Sequence, residues 1–97
     1  MDDLARLLAY QEIRQLASHY AVHLDARNLD GLVALFVPEV RVGRDRTGRA
    51  ALREDFDRQL RAIGVSFLHV GSHAIDLVSD DEATGVVYCK GEIQDGE

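Results

Sequence analysis

The feature that most constrains this chain is a change of hydrophobic period at Gly64. Before it, apolar residues return at helical steps; after it, they alternate with a period of two. A period of three to four sets one stripe of a helix against a core, whereas a period of two sets one face of a strand against it. The chain is therefore ordered as helices first and sheet afterwards, which is an α+β arrangement.

In the first part, Leu4, Leu8, Ile13, Leu16, Tyr20 and Leu24 mark one stripe, and Arg6, Gln11, Glu12 and Arg14 fill other positions. The spacing predicts a helix from Leu4 to about Leu24, with Asp2 or Asp3 as its N-cap. Leu32, Val33, Leu35 and Phe36 predict a short second helix, capped by Asp30 and stopped by Pro38. A brief strand at Val40–Val42 and a polar loop from Arg44 to Gly48 lead into a third helix over residues 49–63. There Leu52, Phe56, Leu60 and Ile63 recur at helical steps, and Gly64 is placed to take the left-handed conformation beyond the helix end.

Past Gly64, Val65 to Val78 reads as one long strand, bulged near Gly71, and Ala83 to Ile93 reads as its return after a turn over Ser79–Glu82. An unbulged register sets Ser79 opposite Glu82, Ile75 opposite Val86, His73 opposite Tyr88 and His69 opposite Glu92. One extra residue in either strand reverses the facing beyond it. Phe67, His69, His73, Ile75 and Leu77 then share one face with Val86, Tyr88 and Glu92. Leu68, Val70, Ala74 and Val78 share the other with Val87, Cys89 and Ile93. Both faces are largely apolar, so both need cover. Helices supply one side; a second subunit or further chain must supply the other, which predicts a homodimer through the sheet. Asp95-Gly96 is a strong two-residue hairpin signal with no strand after it, so the expectation is a sheet cut within a meander.

The length of 97 residues suits one domain, residues 1–97, and the net charge of −6 opposes binding to nucleic acid or to an anionic membrane surface. No apolar run approaches the roughly 18 residues of a membrane span. The start, Met1-Asp2-Asp3, lacks the basic region of a targeting signal, and the cytoplasm is the expected compartment. Cys89 is the single cysteine. It cannot form an internal disulfide, and its apolar strand setting predicts a buried structural thiol.

Three ordered motifs carry a family resemblance. They are Leu24-Asp25-Ala26-Arg27-Asn28-Leu29-Asp30 leading to Phe36 and Pro38; Gly48-Arg49-Ala50-Ala51-Leu52 leading to Phe56; and Leu68-His69-Val70-Gly71-Ser72-His73 before the Asp-Asp-Glu-Ala turn. Together they resemble the SnoaL-like branch of the nuclear transport factor 2-like superfamily. That branch includes polyketide cyclases, scytalone dehydratase and ketosteroid isomerase. The resemblance implies a cone-shaped, barrel-like α+β fold, with N-terminal helices packed on a curved, mainly antiparallel sheet around an apolar pocket. It also implies that the last two strands of that sheet are lacking here.

It further implies a site. Asp25 and His69 resemble the Asp–His pair of dehydratase-like members, in which an imidazole moves protons and a carboxylate orients it. Tyr20 is a candidate to polarise a substrate carbonyl, or else a core aromatic. His73, Tyr88, Glu92, Phe36 and Phe56 are candidate substrate-binding residues. His19 and His23 have metal-compatible helical spacing, but two ligands do not make a site. The Arg41–Arg53 basic cluster reads as solvated. The implied ligand is a small, largely apolar carbonyl compound, and the implied chemistry is dehydration, isomerisation or cyclisation without a cofactor. A non-catalytic binding module and a structural subunit resembling the small subunits of ring-hydroxylating dioxygenases are the competing readings. Catalysis requires Asp25 and His69 within hydrogen-bond reach inside a cavity; a binding module keeps the cavity without the pair.

Overall fold

A computed structural model describes residues 1–95 of the chain. Its helices are α1 (Asp3–Asp25), α2 (Leu29–Val33) and α3 (Arg49–Arg61). Two short strands, β1 (Arg41–Val42) and β2 (Arg46–Thr47), form a ribbon between α2 and α3, and the long strands β3 (Ile63–Ser79) and β4 (Glu82–Asp95) follow. All strand pairing is antiparallel. The α+β order expected from the change of period is the observed one.

Local chemistry explains most boundaries. Asp2 caps α1 by accepting a hydrogen bond from the Ala5 N–H at 2.7 Å, and its charge suits the positive end of the helix. Asn28, not Asp30, caps α2, accepting from Gly31 N–H at 3.1 Å. Asp30 instead sits inside the first turn and pairs with Arg53 of α3 at 2.8 Å. The loop from Arg44 to Gly48 contains β2, which pairs with β1. Gly48 precedes α3 at φ 102°, a conformation that favours glycine. Gly64 does not take the left-handed role expected of it: α3 closes on Ala62 in a right-handed conformation, and Gly64 lies within β3.

The long hairpin is the frame of the molecule, whose longest dimension is 51 Å. Ser79 pairs with Glu82 as expected, but the register then slips three times, the last time between Ser66 and Ile63. The first slip lies between Leu77 and Ser79, and the second between Val70 and His73, at the bulge expected near Gly71. Ile75 therefore pairs with Gly85, His73 with Val87 and His69 with Lys90, correcting the expected partners Val86, Tyr88 and Glu92. The physical cause is the bulge itself. An unpaired extra residue shifts the partner by one and keeps Val70 and His73 on the same face.

Burial follows the resulting faces. Ser66 is buried and Leu68, Val70, His73, Ile75 and Leu77 are half-buried toward the helices, while Val65, Phe67, His69, Ala74, Asp76 and Val78 are exposed on the other side. Leu32, Val33 and Val42 form a small buried core with Ala21 of α1. The expected hairpin turn reaches Gly96 and Glu97, which lie outside the described residues.

Candidate functional site

The helix-facing side of the hairpin and the inner stripe of α1 enclose a cleft of about 370 Å³. Ile13, Leu16, Ala17 and Tyr20 line it from α1, Leu35 and Phe36 from the segment after α2, and Leu68, Val70, His73, Val87 and Cys89 from the hairpin. Its size falls within the range of small-ligand sites, and its wall is the mainly apolar surface with few polar groups that such sites use. The polar groups are Tyr20, His73 and Cys89.

Tyr20 is held by aromatic packing. Its ring meets those of Phe36 and Phe56 edge-on, with centroids 6.3 Å apart in each case. Phe36 and Phe56 are also 6.3 Å apart, so the three rings support one another. Phe36 reaches the cleft wall and Phe56 stands behind it. Burial raises the pKa of the Tyr20 hydroxyl, and the neighbouring Cys89 adds to the rise. The hydroxyl is therefore a proton donor at neutral pH. Cys89 is exposed on the cleft wall. This corrects the expected buried structural thiol, because β4 is uncovered from Glu82 to Gln94.

His73 is the histidine that the fold turns toward the helices. Its Nδ1 atom is buried and has no hydrogen-bond partner. A neutral imidazole carries one N–H and one acceptor nitrogen, so His73 brings one donor and one acceptor to the cleft wall.

The structure does not bring Asp25 and His69 together. Asp25 accepts hydrogen bonds from the Ser66 hydroxyl and the Leu68 N–H, each at 2.9 Å. Ser66 and Leu68 lie on the helix side of β3, and strand alternation sets His69 between Leu68 and Val70 on the opposite side. Arg27 completes the anchor. Its guanidinium donates to Ser66 Oγ and the Leu24 carbonyl, at 2.8 Å each, and to the Gly64 carbonyl. Arg27 sits at φ 60°, which ends α1 sharply and turns its side chain under β3. Asp25 and Arg27 thus fasten the end of α1 to the start of β3.

Two other candidates also face away from the cleft. Tyr88 is 72% exposed on the outer face, and the slipped register explains why it is not opposite His73. Glu92 pairs with Phe67 and comes to 4.0 Å from Lys90, not to His69. His23 bonds the Asn28 side chain at 3.2 Å, and His19 packs edge-on against His23. Among the described residues no group of three or more His, Cys, Asp or Glu is placed to hold a metal ion. Within the basic cluster, Arg46 pairs with Glu54 at 2.7 Å and Arg49 donates to the Phe36 carbonyl at 2.8 Å. No described helix is long and apolar enough to cross a membrane.

Sequence reasoning did not find Arg14 and Ser18. With Val70, Gly71 and His73 they line a second, more polar cavity of about 320 Å³. Arg14 read as a polar filler of the α1 pattern, and only the tertiary arrangement sets it beside the bulge.

Helices laid over an antiparallel hairpin, with an apolar cleft between them, are the arrangement of the nuclear transport factor 2-like fold. The chain belongs to the SnoaL-like domain family, whose match spans residues 5–97. The fold is similar to that of a crystal structure from Novosphingobium aromaticivorans described as a "putative scytalone dehydratase". The two share a TM-score of 0.84 and 23% identity. The match covers 96% of this chain and 65% of that one, so the chain spans about two thirds of the length of the protein it matches. A comparison with curated proteins gave no match.

Proposed function

We propose that this chain binds a small, largely apolar carbonyl compound in the cleft beneath Tyr20 and Phe36. The observation that carries the reading is the cleft itself: an apolar chamber with a protonated tyrosine hydroxyl and the His73 imidazole on its wall. Two such groups suit a carbonyl oxygen, and apolar walls suit a hydrocarbon body. Membership of a family that resembles dehydratases, isomerases and cyclases supports the same ligand class. Since Asp25 is engaged by Ser66 and Leu68, binding rather than Asp–His catalysis is the reading the geometry favours.

A second reading is turnover, in which His73 takes the acid/base role first assigned to His69. It is favoured by the placement of His73 and Tyr20 on one cleft wall. Both readings are tested with 2-tetralone, an apolar bicyclic ketone with exchangeable α-protons. Titration calorimetry measures binding, and proton NMR in heavy water measures α-proton exchange. Binding without exchange above the buffer rate identifies a binding module. Exchange that is lost in His73→Gln identifies a catalyst. Absence of binding to the wild-type chain removes the proposal.

The outer sheet face belongs to the same proposal: a second copy of the chain covers it, leaving the cleft on the helix side free for ligand.

A further inference from the structure

The two cavities on the helix side of the sheet share part of their walls. The apolar cleft and the polar cavity meet at Val70 and His73, the residues that flank the β3 bulge. On the polar side stands Arg14, one residue beyond the cleft residue Ile13. Its guanidinium takes part in no ion pair and no hydrogen bond among the described residues; only its backbone carbonyl is engaged, accepting from Ser18 Oγ at 3.3 Å. In contrast, Arg27, Arg46, Arg49 and Arg53 are all tied to protein acceptors. Arg14, whose side chain has no partner among the described residues, therefore lines the polar cavity that adjoins the apolar chamber at Val70 and His73.

We propose that the ligand of this cleft is an apolar carboxylic acid, its hydrocarbon body in the chamber and its carboxylate paired with Arg14 beside His73. The inference rests on the pocket reading above and narrows it to anionic amphiphiles. A guanidinium offers a planar fork that matches a carboxylate with two parallel hydrogen bonds. The imidazole of His73, at the junction of the two cavities, supplies a second polar contact to the same carboxylate or to a carbonyl next to it. The net charge of −6 works against an anion at long range, so selectivity for the acid depends on this local contact rather than on steering.

The test is a matched pair of probes, 2-naphthoate and its neutral amide 2-naphthamide, titrated calorimetrically into the wild-type chain, Arg14→Gln and Arg14→Glu. Arg14 is exposed on a helix and bonds no other side chain, so both variants fold, which circular dichroism checks. The wild type is expected to bind the naphthoate about 10-fold more tightly than the amide, the scale of one charge-assisted contact near a surface. Arg14→Gln abolishes the preference, Arg14→Glu inverts it, and raising salt to about 0.5 M shrinks it. Equal binding of both probes by the wild type, or a preference that survives in Arg14→Gln, overturns the acid inference while the pocket stands. Binding of neither probe overturns both.

Discussion

Asp25 shows how a residue type suited to catalysis can be consumed by structure. Its carboxylate takes the Leu68 N–H and the Ser66 hydroxyl, and Ser66 in turn accepts from Arg27. Replacing it by alanine leaves the Leu68 amide without a partner and the Ser66 O–H without its acceptor in a part-buried setting, at a cost of about 1–3 kcal/mol. Asp25→Ala is therefore expected to lower the urea midpoint by that equivalent while 2-tetralone affinity, measured below the transition, changes by less than about twofold, because loss of one buried bond is a stability effect. A large loss of affinity in a stable variant would return Asp25 to the site. Tyr20 gives a second prediction. Its pKa is raised in the folded state, so its contribution to stability is complete below its unfolded value near 10 and is lost as pH rises through the folded value. Stability measured by urea between about pH 9 and 11.5 should fall less steeply in Tyr20→Phe than in the wild type. At this scale Tyr20 and Phe36 were legible on the apolar stripes of their predicted helices, whereas His73 was expected on one face with His69 and instead shares the cleft wall with Leu68 and Val70. His69, Tyr88 and Glu92 were not legible, because their facing depends on where a bulge falls.

The hairpin is the element on which that facing turns. Its period of two and its turn at Asp80–Asp81 were plain in the sequence, and so was a bulge near Gly71, where the strand loses its side-chain pattern. The consequence of the bulge was not plain, since an extra residue changes partners without changing composition. Gly85 reports on the slipped register. It pairs with Ile75, and a Cβ added to it would clash with the Ala74 carbonyl oxygen, a backbone atom that cannot move aside cheaply. Gly85→Ala is accordingly expected to destabilise the fold by about 1–3 kcal/mol, the usual cost of overpacking, read from the urea midpoint. Gly91→Ala is the control, because its added Cβ meets only the Leu68 side chain at 4.0 Å; it should cost well under half as much. Equal effects at the two glycines would mean that the register in solution is not the one described. The capping of α2 by Asn28 rather than Asp30 has a similar lesson. Both residue types cap well; Asn28 takes the cap, and the Asp30 carboxylate is paired instead with Arg53 of α3.

At the scale of the molecule, the helices cover one face of β3, while the other face of the hairpin and the length of β4 are bare. Val65, Phe67, Val78, Val86 and Tyr88 are each more than half exposed on the side away from the helices. The sequence already showed that both faces were apolar and that helices could cover only one; the structure adds which residues remain outside. Exposed apolar side chains of this kind are what a stable partner removes from water, and the proposed second copy would meet them with the same residues under twofold symmetry. Such an interface must bury on the order of 1,200–2,000 Å² in total to hold. A strip along the 51 Å axis of the molecule offers the length for it. Phe67 lies across from Glu92, and Val86 across from Ala74. A lysine at both Phe67 and Val86 places like charges on both halves of a symmetric contact without touching the cleft. The wild-type chain is expected to sediment as a dimer at tens of micromolar, and the double variant Phe67→Lys/Val86→Lys as a monomer, with dimer affinity lowered at least about 10-fold. The double variant should retain its circular dichroism spectrum and bind 2-tetralone within about twofold of the wild type, since the ligand cleft lies on the other face. A wild-type chain that stays monomeric at about 100 μM, far above the concentration at which a standard-size interface forms, would show that no second copy covers the sheet.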